Sequence, residues 1–284
     1  MTKIKATLKE TAKYQESELK KAGIDEMHVC VTKGNTKLGH NIYTFSTLPG
    51  DTRHLLRSKT GELLCDVPGT CTGNCDCCFG HGCYAVNCAR RYASTVIPAW
   101  ARNTILMRAG KAIPQIDEII TKKEALGVDS KRVRTFRINV SGEIQTIEEL
   151  EAWDKLARKH PGTQFGLYTK NYEVLAKFLA KHGETAPNFV INVSQWNGAA
   201  NKALKDLDTW IRAHKINVFE YDDTNRAKHD HTPEDARRLA ALPHCPAVTK
   251  SGKRATGASG EPITCDMCKR CYKKTGKTTA VYSH

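Results

Sequence analysis

Strand and helix patterns alternate through the whole second half of the chain, and that alternation restricts the fold more than any other feature of the sequence. Residues 136–140 (FRINV) read as a strand, and 148–159 as a helix whose Leu150, Trp153, Leu156 and Ala157 fall on one face. Residues 165–168 (FGLY) are a strand, and 172–181 a helix with Val174, Leu175, Phe178 and Leu179 inward. Residues 189–193 (FVINV) are a third strand, followed by a helix carrying Leu204, Leu207, Trp210 and Ile211. Residues 216–220 (INVFE) are a fourth, and Thr232-Pro233 opens a helix through Leu242, with hydroxyl at N-cap and proline at N1. A βα series of this kind builds a parallel sheet or barrel, with right-handed connections and sites at the carboxyl ends of the strands. Those ends here are Ser141-Gly142-Glu143, Thr169-Lys170-Asn171, Ser194-Gln195-Trp196-Asn197 and Tyr221-Asp222-Asp223. Loops are polar in general, so no one of these groups means much alone. Four in succession on one rim have the composition of a working edge.

The first half is less regular. Residues 1–27 are a polar, lysine-rich lead. Residues 27–32 (MHVCVT) and 41–46 (NIYTFS) have strand patterns separated by Gly34-Asn35, and the second stops at Pro49-Gly50. Cys30, alone in the first of them, reads as a packing cysteine. Residues 89–107 have helical spacing interrupted by Pro98, which predicts two pieces with a break at the proline. A further helix begins at Ile113-Pro114, with Ile116, Ile119 and Ile120 on one face.

Between these halves lies CDVPGTCTGNCDCCFGHGCYAVNC, residues 65–88, which holds seven of the twelve cysteines. Thiolates this dense, interspersed with glycines that let the backbone turn tightly, suit a loop wrapped around a soft metal. Cys71-x3-Cys75-x2-Cys78 offers three thiolates to a cubane cluster. A [4Fe–4S] cluster normally takes four, so three leave one iron open to another ligand. Cys83, opening Cys83-Tyr84-Ala85, is a rival ligand. A second constellation, Cys245 followed by Cys265-x2-Cys268-x2-Cys271, can close a tetrahedral zinc site or an Fe–S site. Stapling a lysine-rich tail with few apolar residues is as good a role for it as catalysis.

Forty-four Lys and Arg against 30 Asp and Glu give a net charge of +14, with much of the excess between Lys250 and Lys277. Such a surface favours a polyanionic partner such as nucleic acid, although a solvated basic face explains the charge equally well. The N-terminus has charges throughout and no apolar core, so it does not read as a secretory signal, and no apolar run reaches membrane-spanning length. A cytoplasmic protein is expected, where clustered cysteines bind metal more often than each other.

These motifs, taken together, resemble the radical S-adenosylmethionine proteins, especially phage-associated relatives of unassigned reaction. Cys71-x3-Cys75-x2-Cys78 has that family's cysteine spacing, with Cys77 where an aromatic residue is usual. Cys83-Tyr84-Ala85 is similar to the CYA that closes the cluster motif in the phage relatives. Ser141-Gly142-Glu143 resembles the family's Gly-Gly-Glu, with serine in place of the first glycine. Tyr168-Thr169-Lys170-Asn171 and Asn192-Val193-Ser194 resemble its strand ends. The resemblance spans roughly residues 38–272 and implies a partial (β/α) barrel with N-terminal strands and a cysteine-rich C-terminal appendage.

It divides the chain into a lead with strands (1–64), a cluster loop and barrel core (65–243) and a basic tail (244–284). It implies a [4Fe–4S] cluster on Cys71, Cys75 and Cys78, with Cys83 the alternative ligand, and a second Fe–S or zinc site on Cys245, Cys265, Cys268 and Cys271. It implies S-adenosylmethionine bound by Tyr84, Ser141, Gly142 and Glu143, with Lys170 or Ser194 on its carboxylate, and an external electron donor. The expected activity is cleavage of S-adenosylmethionine to a 5′-deoxyadenosyl radical that takes hydrogen from a substrate the sequence does not identify. Two other readings stand beside it: a zinc-stapled nucleic-acid-binding protein without catalysis, and an Fe–S protein that keeps the barrel but no longer cleaves the cofactor.

Overall fold

The computed structural model of the chain describes residues 27–71, 83–195, 209, 211, 213–225 and 231–282. Among these residues, seven strands form one sheet in sequential order. They are β1 (Thr32–Asn35), β2 (Gly39–Thr44), β3 (Thr135–Ile138), β4 (Gln164–Thr169), β5 (Phe189–Gln195), β6 (Asn217–Asp222) and β7 (Thr278–Tyr282). The described helices are α1 (Tyr84–Arg91), α2 (Ala93–Arg108), α3 (Ala112–Ala125), α4 (Ile147–Lys159), α5 (Tyr172–His182), α6 (Pro233–Ala240) and the single turn α7 (Cys265–Cys268). Pairings β4–β5, β5–β6 and β6–β7 are parallel, as the alternating pattern requires. The fold is therefore mixed α/β. No described helix is long and apolar enough to cross a membrane.

The chain divides into two compact units. The first comprises Met1–Thr32, Thr44–Val133 and Ile138–Leu156. One core cluster in it joins Leu48, Leu56, Cys65 and Val67 to Val86, Ala89, Ile97 and Ala101 on α1 and α2. Elsewhere in this unit Phe45 and Trp153 meet at 5.7 Å between ring centroids. The second unit comprises Lys33–Tyr43, Arg134–Arg137 and Ala157–His284 and carries most of the sheet. Phe165, Leu167, Phe189, Ile191 and Val193 from β4 and β5 are buried in it, as are Leu175, Phe178 and Leu179 of α5. Continuous apolar strands of this kind are what a parallel sheet covered on its faces demands.

Three local expectations need correction. The hairpin is shifted: residues 27–31 are not a strand, and β1 starts at Thr32. Their polar backbone groups go to helix side chains instead. Gln115 Oε1 accepts the Val29 N–H at 2.7 Å, and Asn103 Oδ1 accepts the Cys30 N–H at 2.7 Å. The Asn103 amide also donates to the Cys30 and Ser46 carbonyls, so one buried asparagine replaces a ladder. Pro98 lies inside α2, and the break between α1 and α2 falls at Tyr92. Six residues into a helix, proline forgoes one bond, to the Ser94 carbonyl, and α2 restarts upstream with the Val96 N–H on the Tyr92 carbonyl at 2.8 Å. Strand β7 was not anticipated at all. Three other elements keep their expected places: α4 buries Leu150, Trp153, Leu156 and Ala157, α5 has its anticipated bounds within a residue, and Thr232 caps α6 by accepting the Asp235 N–H. Of the helix anticipated around Leu204, Leu207, Trp210 and Ile211, only Ile211 lies among the residues described in full, and it is buried.

Candidate functional site

The first unit gathers three short segments around the residue pair Thr70-Cys71, where the cysteine loop begins. Segment 47–50 runs beside 69–71: the Thr70 N–H donates to the Leu48 carbonyl at 3.0 Å, and the Cys71 N–H to the Gly50 carbonyl at 2.9 Å. The Gly50 N–H returns the contact by donating to Cys71 Sγ at 3.2 Å. A thiol sulfur that accepts a backbone N–H is better able to carry negative charge, which a metal-binding thiolate needs. The third segment is the exit of β3. Asn139 has φ +49°, which ends the strand, and Gly142 has φ +84°. Between them the Thr47 N–H donates to the Ser141 carbonyl at 3.0 Å. Thr47 and Thr70 share a hydroxyl–hydroxyl hydrogen bond of 2.7 Å, and Thr70 Oγ1 accepts the Glu143 N–H at 2.8 Å. Gly142 fits only because it lacks a side chain: a Cβ there would stand 1.9 Å from Thr47 Oγ1 and 2.4 Å from Thr70 Oγ1.

Glu143 is nearly buried, and its Oε1 accepts the Ile144 N–H at 2.9 Å. A second carboxylate, Glu149, is within its electrostatic reach. Burial pushes Glu149 up to about 7, and the charge of Glu143 adds to the rise, while the Gln145 N–H, Trp153 and Arg108 oppose it. Glu149 also belongs to the start of α4, where it receives the Gln145 N–H at 2.9 Å while its own N–H donates to Thr146 Oγ1. That is a displaced form of the reciprocal capping seen at helix N-termini. Arg108, from the end of α2, donates to the Gly69 carbonyl at 3.0 Å and holds the approach to Thr70.

Cys75 and Cys78 lie outside the described residues. Cys83 precedes α1, half-buried, and packs against the core cluster. Tyr84 is 58% exposed. Cys65 is buried, and burial pushes its thiol up to about 11, the state of an inert packing residue.

In the second unit, Lys170 and Ser194 follow paired positions. Thr169 of β4 is opposite Val193 of β5, so both residues come next at the carboxyl edge of neighbouring parallel strands. The Ser194 carbonyl accepts the Tyr172 hydroxyl. Glu143 belongs to the first unit and these two to the second.

The tail cysteines are held against the sheet. Cys265 and Cys268 sit one turn apart on α7, capped by Thr264, and Cys271 follows in a 3-10 turn, Arg270–Tyr272. The Cys245 N–H donates to the Ala280 carbonyl of β7 at 2.7 Å. Two buried asparagines fasten the connecting backbone. Asn192 donates to the Cys271 carbonyl at 3.0 Å, and Asn217 donates to the Lys273 carbonyl and accepts the N–H groups of Thr275 and Gly276. Beneath them, Arg137 lies 4.4 Å over the Tyr168 ring, and Tyr272 packs so closely on β4 that a Cβ at Gly166 would stand 2.5 Å from it.

Burial pushes the Cys271 thiol up to about 11, against a hydrogen bond from Tyr168 and with added repulsion from Cys245 and Cys265. Cys265 is raised by burial too, and it feels Cys245 and Cys268. Cys245 thus acts on both Cys265 and Cys271, and thiols are the donors a zinc or Fe–S centre takes. A cation bound there would draw off their protons and reverse those shifts. Cys30, Cys65, Cys71, Cys83, Cys88, Cys245, Cys265, Cys268 and Cys271 form no disulfide among the described residues. Also among the described residues, no three His, Cys, Asp or Glu side chains stand as a preformed metal site.

Sequence reasoning missed Thr47, Thr70, Asn139 and Asn217, and the hydrogen bond by which Asn192 holds the tail. Only the asparagines left a signal, as amides inside or ending apolar strands. Fold and site together define an α/β protein with Cys71 beside the β3-exit turn and four cysteines along a sheet-bound tail. The family model described as Gene product 88 matches residues 29–274, and the chain belongs to that family. No curated protein and no solved structure matches it.

Proposed function

We propose that this protein is an iron–sulfur enzyme of the radical S-adenosylmethionine type, working from a partial (β/α) barrel in the cytoplasm on a substrate still to be found. Cys71, Cys75 and Cys78 are the cluster ligands of this reading, with Glu143 receiving the cofactor's ammonium group. The observation that carries it is the hydrogen bond from Glu143 N–H to Thr70 Oγ1, which ties the Ser-Gly-Glu turn to the residue just before Cys71. The likeness of these motifs to radical S-adenosylmethionine proteins is independent support. When bound and reduced, a cluster of this kind supplies the electron that splits S-adenosylmethionine into methionine and a 5′-deoxyadenosyl radical, which abstracts hydrogen.

The protein's own work is to bind and orient. The Glu143 carboxylate offers acceptors to an ammonium in a site largely closed to water, where a charge-assisted hydrogen bond counts for more than at the surface. Its backbone N–H is held by Thr70 and its Oε1 by the Ile144 N–H, so both ends of the residue are oriented before a ligand arrives.

Protein purified anaerobically is expected to be brown and to contain iron. Reduced with dithionite, it should convert S-adenosylmethionine to 5′-deoxyadenosine slowly, as measured by chromatography. Glu143→Ala should weaken cofactor binding about 10- to 100-fold while leaving the cluster's absorption unchanged. Stoichiometric zinc with no iron, and no 5′-deoxyadenosine, would overturn the reading. That outcome would favour a zinc-stapled nucleic-acid-binding protein, a reading supported by the sheet-bound tail cysteines and the net charge of +14.

A further inference from the structure

Between Cys245 and Cys265 the chain builds a small antiparallel meander outside the main sheet. Val248 lies opposite Arg254, and Thr256 opposite Pro262. The Ala255 N–H donates to the Ala247 carbonyl at 3.1 Å, and the Ile263 N–H to the Ala255 carbonyl at 2.9 Å. Two turns join the three runs, one across 249–253 and one across 257–261, and in a meander they fall at opposite ends. The root is fixed. Ala247 and Val248 are buried, and the Cys265 and Asp266 N–H groups donate to the Lys37 and Leu38 carbonyls.

The first turn is tied down as well. Thr249 Oγ1 accepts the Lys253 N–H at 3.1 Å and shares a hydrogen bond of 2.9 Å with Ser251 Oγ. The Gly252 N–H donates to the Thr249 carbonyl at 2.9 Å, and Gly252 itself, at φ +75°, closes the turn. This turn carries Lys250 and Lys253, with Arg254 directly after, and all three are exposed. None of them forms an ion pair among the described residues. Glu261, the one acidic residue between Cys245 and Cys265, belongs to the other turn. Exposed Lys269 and Arg270 add charge near the root, where Arg270 donates to the His244 carbonyl at 2.9 Å. Cations gathered on a rigid turn repel one another, and a polyanion relieves that repulsion.

What the meander lacks narrows the choice of polyanion. Residues 245–263 contain no Phe, Tyr or Trp, so the bases of a single strand have nothing to stack on. They expose no large apolar side chain either, which a membrane surface or a protein interface would need as an anchor. Charge, hydroxyls and a fixed turn remain, and these are the groups that contact phosphates. A two-stranded ribbon fits the major groove of B-form DNA, whereas the deep, narrow major groove of duplex RNA keeps side chains out. We infer that the hairpin 247–257 docks in the major groove of double-stranded DNA, with Lys250, Lys253 and Arg254 on the flanking phosphates. This goes beyond the function proposed above and does not depend on it, because the contacts belong to the turn and not to a cluster or cofactor.

The test is fluorescence anisotropy of a labelled mixed-sequence DNA duplex, titrated with the full chain at several salt concentrations between roughly 50 and 200 mM. The triple variant Lys250→Gln, Lys253→Gln, Arg254→Gln is compared with Lys122→Gln, Lys131→Gln, Arg132→Gln, which removes the same charge from exposed positions of the first unit. Wild type should bind with a steep salt dependence. The hairpin variant should bind about 10-fold or more weakly, and its slope of log affinity against log salt should fall by about 2 to 3, the share of three phosphate contacts. The second variant should keep the wild-type slope, and both should keep the wild-type iron content and melting temperature. No binding by wild type at roughly 50 mM salt overturns the inference. So do equal losses in the two variants, which would reduce the effect to net charge. Equally tight binding of a duplex RNA or of the single DNA strand overturns it too. Iron-free protein that still binds the duplex through this hairpin upholds the inference while the proposed function fails. Conversely, production of 5′-deoxyadenosine by protein that ignores the duplex leaves that function standing and sinks the inference.

Discussion

Gly142 is the residue on which the β3-exit turn depends. Its positive φ and the two threonine hydroxyls packed against it leave no room for a methyl group. Gly142→Ala is expected to cost about 2–4 kcal/mol, read as a lower urea midpoint, because backbone strain and a clash with fixed hydroxyls add. Glu149 gives a pH signature at the same scale. Its unfolded carboxyl titrates near the ordinary 4.5 and its folded one near 7. Between those values the folded state binds more protons, so the contribution of this group to stability falls as pH rises from 4.5 to 7 and is level above. The difference is on the order of 3 kcal/mol. Urea unfolding at pH 4.5 and pH 8 should therefore differ by about that much more in wild type than in Glu149→Gln. Equal pH dependence in the two proteins would remove the burial argument.

Among the described elements, α7 has no buried residue of its own, and the turn after it has Tyr272. Cys265, Cys268 and Cys271 are only partly buried, and Met267 between them is 61% exposed. What fixes this stretch is the Cys265 and Asp266 N–H groups donating to the Lys37 and Leu38 carbonyls, the pair of asparagine rivets and, on the proposed reading, a bound metal. Cys268→Ser should reduce metal content by the equivalent of one site and quicken proteolysis within 245–275, with the first cluster's spectrum still recognisable. Unchanged metal content would show that these thiols do not act together.

For the whole molecule, metal and stability should be linked. A ligand that binds only the folded chain stabilises it in proportion to its binding. Anaerobic stripping of metal by a chelator is expected to lower the melting temperature by roughly 5 °C or more, and restoring iron and sulfide should recover it. A melting temperature indifferent to stripping would mean that the packed cores alone hold the fold, and that the cysteines contribute nothing to it.

The sequence alone determined the second half of the fold. The strands β3 to β6 and helices α4 to α6 announce themselves because a parallel βα series buries whole strands and one face of each helix, and both periods survive in the order of residues. It also located the Ser-Gly-Glu turn, since polar residues directly after an apolar strand mark its carboxyl end. What it could not give was anything decided by partners distant in the chain. Asn103 taking the Cys30 backbone, which removes a strand, is one such case. Thr70 holding Glu143 across 73 positions is another. Strand β7 was missed because five residues of ordinary β propensity become a strand only when β6 offers an open edge beside them. That the Asn139 amide is buried without a hydrogen-bond partner among the described residues was equally invisible, because whether a polar group is satisfied depends on what surrounds it in space, and the tertiary structure alone decides that.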